Sequence, residues 1–202
     1  MAATQTFSVS WDYRCPFARI GHEHILDGLA AGAPWEVRFV PFFLNQPHVP
    51  EGGVPAWDDP AQRDDLLALA AGVVVRDRFP EQFVDAHRSL FAARHDDGRD
   101  LRTRSVVAEA LVAAGLDADR VLAEVDAGWP AGVIRDEHED MVSRLAVFGV
   151  PTFIVDDRAV FVRLTRRPRG DGVLARETID RVLGLINEHP DLNEFKHTRV
   201  EV

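Results

Sequence analysis

A single cysteine, Cys15, stands in a chain of 202 residues, so no disulfide can close within it and any thiol chemistry rests on one sulfur. Such sparing use of cysteine agrees with a reducing compartment. No apolar run reaches the roughly 18 residues that a membrane span needs, and the opening Met1-Ala2-Ala3-Thr4-Gln5-Thr6 has neither the basic nor the apolar stretch of a secretory leader. The expected location is cytoplasmic, with no membrane partner. Basic charge is short as well: 23 Lys and Arg face 33 Asp and Glu, a formal net charge of -10, which disfavours non-specific binding to nucleic acid. There is no glycine-rich phosphate loop, no Gly-x-Ser-x-Gly nucleophile elbow and no internal repeat. The eight histidines do not amount to a metal site. His22 and His24, two apart, fall on different faces of a helix, His87 and His138 sit on apolar faces, and no second cysteine supports zinc.

What is present is 46% hydrophobic residues, enough at this length for a sizeable core. The chain is organised around Trp11-Asp12-Tyr13-Arg14-Cys15-Pro16-Phe17-Ala18. Before it, Thr6 to Trp11 alternates, with Phe7, Val9 and Trp11 on one face and Ser8 and Ser10 on the other, a strand signature. After it, Phe17, Ile20, His24, Ile25 and Leu29 recur at helical spacing, and proline is favoured at a helix's first position, where its missing N–H costs nothing. Cys15 therefore lands at an N-cap. Unpaired backbone N–H groups and the positive end of the helix dipole favour a thiolate there. A lone cysteine is more often inert core; the strand-Cys-Pro-helix context favours a reactive one.

Further along, Trp35 to Phe43 alternates as a second strand, and strand, helix, strand with a connection of this length implies a parallel βαβ crossover. Asn45 to Pro60 is a loop rich in proline and glycine. From there to about Val147 the periodic segments are successive helices: 62–79, 80–94, 101–114, 117–127 and 131–148, whose incomplete apolar faces should pack on one another. Strands return with Pro151 to Val155, a turn at Asp156-Asp157, and Arg158 to Val162, read as a hairpin. A last helix covers Val173 to Glu188. The fold class is α/β, with residues 1–58 and 147–190 as one domain, 59–146 as an all-helical insertion and 191–202 as a tail.

This order resembles the DsbA branch of the thioredoxin fold. Two motifs carry the likeness, Asp12-Tyr13-Arg14-Cys15-Pro16-Phe17-Ala18 and Phe148-Gly149-Val150-Pro151-Thr152-Phe153. The resemblance implies that Cys15, Pro16 and Pro151 are the catalytic elements, that Pro151 is cis beside the sulfur, and that Val150 presents its backbone to the substrate. Pro168-Arg169-Gly170 and the tail Glu194-Phe195-Lys196-His197-Thr198-Arg199 look similar to actinobacterial DsbA-like proteins that use mycothiol, including mycothiol-dependent nitroreductases. The glutathione-using relatives, kappa-class glutathione transferases and 2-hydroxychromene-2-carboxylate isomerases, usually carry serine at the position of Cys15. The chief departure is Ala18, where a dithiol member has its second cysteine. Alanine cannot resolve a mixed disulfide, so an outside thiol, mycothiol or glutathione, must do so.

The expected function is thus a thiol-dependent oxidoreductase acting on a small-molecule or thiol substrate, with no metal, and the chain is compatible with a homodimer. Arg14 is expected to add positive charge at the sulfur and, with Val150, to help hold the thiol cofactor. Arg163, Arg166, Arg167 and Arg169 offer four positive charges within seven positions; Arg166, Arg167 and Arg169 are read as a clamp for the thiol's carboxylates, against the plainer reading of a solvated loop. Trp11, Tyr13 and Phe17 could wall a pocket for the substrate; Trp11 and Phe17 read equally well as core, and Tyr13 is the better exposed candidate. Two alternatives stay open: a thiol-dependent isomerase or transferase, in which Cys15 only orients the cofactor thiol, and a non-enzymatic binding module.

Overall fold

A computed structural model describes residues 4–194 and 196–199; Phe195 of the tail motif lies outside the described residues. The chain forms two compact units. The first holds the described residues up to Trp11, together with Phe17–Val40 and those from Leu145 onward; the second holds Asp12–Pro16 and Pro41–Arg144. The sheet is in the first. Its strands β1 (Gln5–Trp11), β2 (Trp35–Pro41), β3 (Thr152–Val155) and β4 (Arg158–Phe161) lie in the order β2-β1-β3-β4. β1 pairs antiparallel with β3, Val9 opposite Phe153, and β3 pairs antiparallel with β4 across the Asp156-Asp157 turn. That turn closes because Asp156 takes a left-handed φ of 53, a conformation Asp tolerates better than most residues.

Helices α1 (Pro16–Ala30) and α7 (Gly172–Glu188) belong to the first unit apart from Pro16. The buried side chains there include Phe7, Val9 and Trp11 of β1, Ile25 of α1, Phe153 of β3, and Ile179 and Leu183 of α7, each adding about 1.5–3 kcal/mol when taken from water. Phe7 stacks on Phe153 at 5.9 Å between centroids and meets Trp35 edge-on at 6.2 Å. β1 departs from simple alternation: Ser10 is as fully buried as its apolar neighbours, because this end of the strand is covered on both faces. Trp35 is admitted by a glycine. A Cβ on Gly28 would overlap the Trp35 ring, whose Nε1–H donates to Asp180 Oδ1 at 2.9 Å. Gly28→Ala is therefore expected to cost about 1–3 kcal/mol as an overpacked core, read as a lowered midpoint in urea; an unchanged midpoint would show that Trp35 adapts freely.

The second unit is helical: α2 (Arg63–Arg78), α3 (Phe83–His95), α4 (Arg104–Ala113), α5 (Ala118–Asp126) and α6 (Trp129–Leu145), of which Leu145 itself belongs to the first unit. α6 starts two residues earlier than the periodicity predicts and stops three earlier, since Ala146 adopts a left-handed φ of 54 that no helix continues through. Arg76 of α2 forks onto both carboxylate oxygens of Glu137 of α6 at 2.8 and 3.2 Å. His138 stacks on Phe42 at 4.0 Å and accepts the Phe43 backbone N–H at Nδ1, 3.2 Å. Burial holds its pKa down to about 4. In the first unit, His22 donates from Nε2 to the Ser10 carbonyl at 3.1 Å, and burial, only partly offset by that bond, also lowers its pKa to about 4. Among the described residues no helix is long and apolar enough to cross a membrane, and no group of His, Cys, Asp and Glu could hold a metal ion.

Candidate active site

Cys15 is half-buried, outside any disulfide, and immediately precedes Pro16, the first residue of α1. The turn that delivers it is built by Asp12. One carboxylate oxygen accepts the Arg14 backbone N–H at 2.9 Å and Arg14 Nε at 3.2 Å; the other accepts Arg14 Nη2 at 2.9 Å and the Leu44 N–H at 3.1 Å. A short acidic side chain bonding the backbone two residues on is a local turn former. The Cys15 N–H in turn donates to the Asp12 carbonyl at 3.1 Å. Asp12 was not among the residues predicted for the site; an aspartate three positions before the cysteine, with an arginine two residues after it, is the signal that could have found it.

Arg14 requires a correction. Its guanidinium is engaged by Asp12, by Asn45 Oδ1 at 2.8 Å and by Asp65 at 3.5 Å, and it lies over the Phe43 ring at 5.3 Å. Burial opposes its charge, but the bond to Asp12 and the charges of Asp12 and Asp65 outweigh burial, and its pKa is raised. A cation so compensated presents little net positive charge to its surroundings. Trp11 takes its core reading, and Tyr13 is less exposed than expected. Trp11 is fully buried and Tyr13 is 1% exposed, because Tyr13 turns inward to His87, its hydroxyl 2.9 Å from Nδ1. Of the three predicted wall residues Phe17 alone keeps an appreciable open surface, and Arg163 stacks over its ring at 5.4 Å. Beside the turn, a cleft of about 380 Å³ is lined by Asp12, Tyr13, Arg14, Asp65, Arg94 and Arg102 among others, a size suited to a small ligand.

In the first unit the second motif is fastened to β1. The Val150–Pro151 peptide is cis. Ser10 Oγ accepts the Thr152 N–H at 2.9 Å and donates to the Gly149 carbonyl at 3.4 Å, which also accepts Thr152 Oγ1 at 2.7 Å. Pro151 lies against α1 at Gly21, where a Cβ would come within 3.3 Å of its Cγ. Ser10 and Gly21 thus set this turn, and neither was predicted; a serine next to last in the strand, between Val9 and Trp11, was the available signal. Val150 is 2% exposed, which corrects the expectation that its backbone is offered to a substrate.

The arginine loop is tied along α1. Arg167 makes a two-pronged ion pair with Glu23, both bonds 2.7 Å; His24 Nε2–H donates to the Arg166 carbonyl at 2.9 Å; and Asp27 accepts the Gly170 N–H at 2.8 Å. Arg167 is thus engaged by Glu23, while Arg166 and Arg169 are exposed. Ala18, one turn into α1, is completely buried.

The family model described as the DSBA-like thioredoxin domain matches residues 6–165. A comparison with curated protein sequences gives no match. Among solved structures, a 2-hydroxychromene-2-carboxylate isomerase superposes with a TM-score of 0.62 at 16% identity, covering 94% of this chain and 100% of its own. The cytosolic disulfide reductase DsbM from Pseudomonas aeruginosa, solved with glutathione, gives 0.59 at 18% identity, covering 88% and 98%. A probable DsbA oxidoreductase from Streptomyces coelicolor gives 0.57 at 17%, covering 98% and 93%. Identities this low speak to the fold, and oxidoreductases and an isomerase share it. It is the match over most of the chain, from the first strand through the hairpin, that assigns the protein: it belongs to the DSBA-like thioredoxin family.

Proposed function

We propose that this protein is a cytoplasmic thiol-disulfide oxidoreductase that works with one nucleophilic sulfur, Cys15, and an external low-molecular-weight thiol. The observation that carries this reading is the pair of positions 15 and 18: a half-buried thiol directly ahead of α1, and a buried alanine where a resolving thiol would stand. The Cys15 thiolate attacks one sulfur of a disulfide; the S–S bond breaks as the Cys15 mixed disulfide forms, and the other sulfur leaves as a thiolate. A small thiol, ionised, then attacks the substrate's sulfur in that mixed disulfide. Cys15 departs as thiolate, and the small thiol and the substrate's sulfur leave joined as a disulfide. A second small thiol, ionised, attacks the first one's sulfur in that disulfide; the substrate's sulfur leaves as a thiolate and the two small thiols leave joined as their own disulfide. Arg166 and Arg169, exposed on a loop fastened to α1, are the candidate contacts for a carboxylate of that thiol. Glutathione, with which the DsbM structure was solved, and mycothiol are the two thiols to test.

A second reading, a thiol-dependent isomerase or transferase, is favoured by the superposition on the chromene-carboxylate isomerase over the whole of that chain. Intact-mass spectrometry after incubation with oxidised glutathione or oxidised mycothiol tests the oxidoreductase. We expect one adduct per chain on Cys15, removed by the matching reduced thiol. Absence of an adduct with either disulfide would reject the proposal.

A further inference from the structure

We propose that Tyr13 is a positioning residue, held by His87 and His95 so that the following turn sets Cys15 at the start of α1; the inference rests on reading Cys15 as the nucleophile. The chain has one tyrosine, and it stands two residues before the one cysteine. Its side chain is buried to 1% in the second unit, which also contains Cys15. Phe83, His87, Phe91 and His95 recur every four residues along α3 and so share one face. Three of them touch Tyr13. Phe91 meets its ring edge-on at 4.9 Å, His87 Nδ1 lies 2.9 Å from its hydroxyl, and His95 Nε2–H donates to its carbonyl at 2.9 Å.

On its far side the ring rests where Gly72 of α2 has no side chain: a Cβ there would overlap the hydroxyl and come within 2.8 Å of Cε2. Side chain and carbonyl of one residue are thus both fixed. With the Cys15 N–H bonded to the Asp12 carbonyl, Tyr13 lies inside a turn that is held at both ends. Phenylalanine would fill the same apolar space. The hydroxyl and its histidine add direction, which a core-filling role does not require but an aligned thiolate does, since a site loosened by about 1 Å loses its geometry.

The test is the pH profile of Cys15 alkylation by iodoacetamide in the full chain, with folding checked by circular dichroism. Tyr13→Phe and His87→Leu should each alkylate about tenfold more slowly at pH 7, with the profile moved toward that of an ordinary cysteine. His87→Gln, which keeps a hydrogen-bonding group for the hydroxyl, should stay within about twofold of the parent. Tyr13→Phe and His87→Leu variants that are folded and keep the parent profile would overturn the positioning role. Should His87→Leu fail to fold, Tyr13→Phe, which keeps the ring, decides alone on the same criterion. A parent protein whose Cys15 itself alkylates like an ordinary cysteine is a different result, and it removes the nucleophile reading before the positioning role of Tyr13 is in question.

Discussion

Cys15→Ser is expected to lower thiol-dependent disulfide reduction by a factor on the order of 10³ or more, because serine at neutral pH offers neither the ionised nucleophile nor a sulfur to form the mixed disulfide. The fold should be untouched: Cys15 sits in a turn held by Asp12, and the two side chains are close in size. A tenfold loss or less would show that the sulfur does not form the covalent intermediate. The variant separates the two enzymatic readings at the same time. In an isomerase or transferase the reacting thiol belongs to the cofactor, and the introduced hydroxyl could still orient it, so substantial retained activity would favour that reading.

The second large effect concerns stability in acid. His22 and His138 are buried and neutral, each with a pKa lowered by burial from 6.5 to about 4. Between those values the unfolded chain binds protons that the folded chain refuses, so stability is complete above about pH 6.5 and falls with falling pH. A shift of this size corresponds to about 3 kcal/mol for each histidine by pH 4. Set against a typical stability of about 5–15 kcal/mol, two such terms remove a large share of it by pH 4. For His138 the cost has a visible origin, because protonating Nδ1 forfeits the bond accepted from the Phe43 N–H. Urea titrations between pH 7 and pH 4.5 should show the decline, and His22→Gln or His138→Gln should each reduce its slope by about one proton. Equal slopes in the parent and both variants would mean that neither histidine is buried neutral.

Most of the fold was legible because its elements obey local rules. The period change at Cys15-Pro16 located α1, the return of β-branched residues after Gly149 located β3, and Asp156-Asp157 located the hairpin turn. Boundaries were less legible where one backbone angle decides them, as at Ala146. The site was only partly legible, and the reason is that its partners are distant in sequence. Arg14 reads as a free charge until Asp65 and Asn45 are brought to it, and Arg167 reads like Arg166 until Glu23 is found opposite. Tyr13 reads as exposed in a short polar motif because nothing local shows that α3 and Gly72 receive it. The four-residue repeat of Phe83, His87, Phe91 and His95 was visible all along, yet it looks like any apolar helix stripe until its occupant is known.

The proposed chemistry requires Cys15 to be ionised near neutral pH and open to attack from outside the chain. Its most direct test is the rate of Cys15 alkylation in the parent protein as a function of pH. The rate should reach half its maximum clearly below pH 8.5, about the free-cysteine value, and fall away as pH drops further, because thiolate is lost as the lowered pKa is crossed. A half-maximum at or above that value, or a thiol that reacts only after the protein is unfolded, would contradict it.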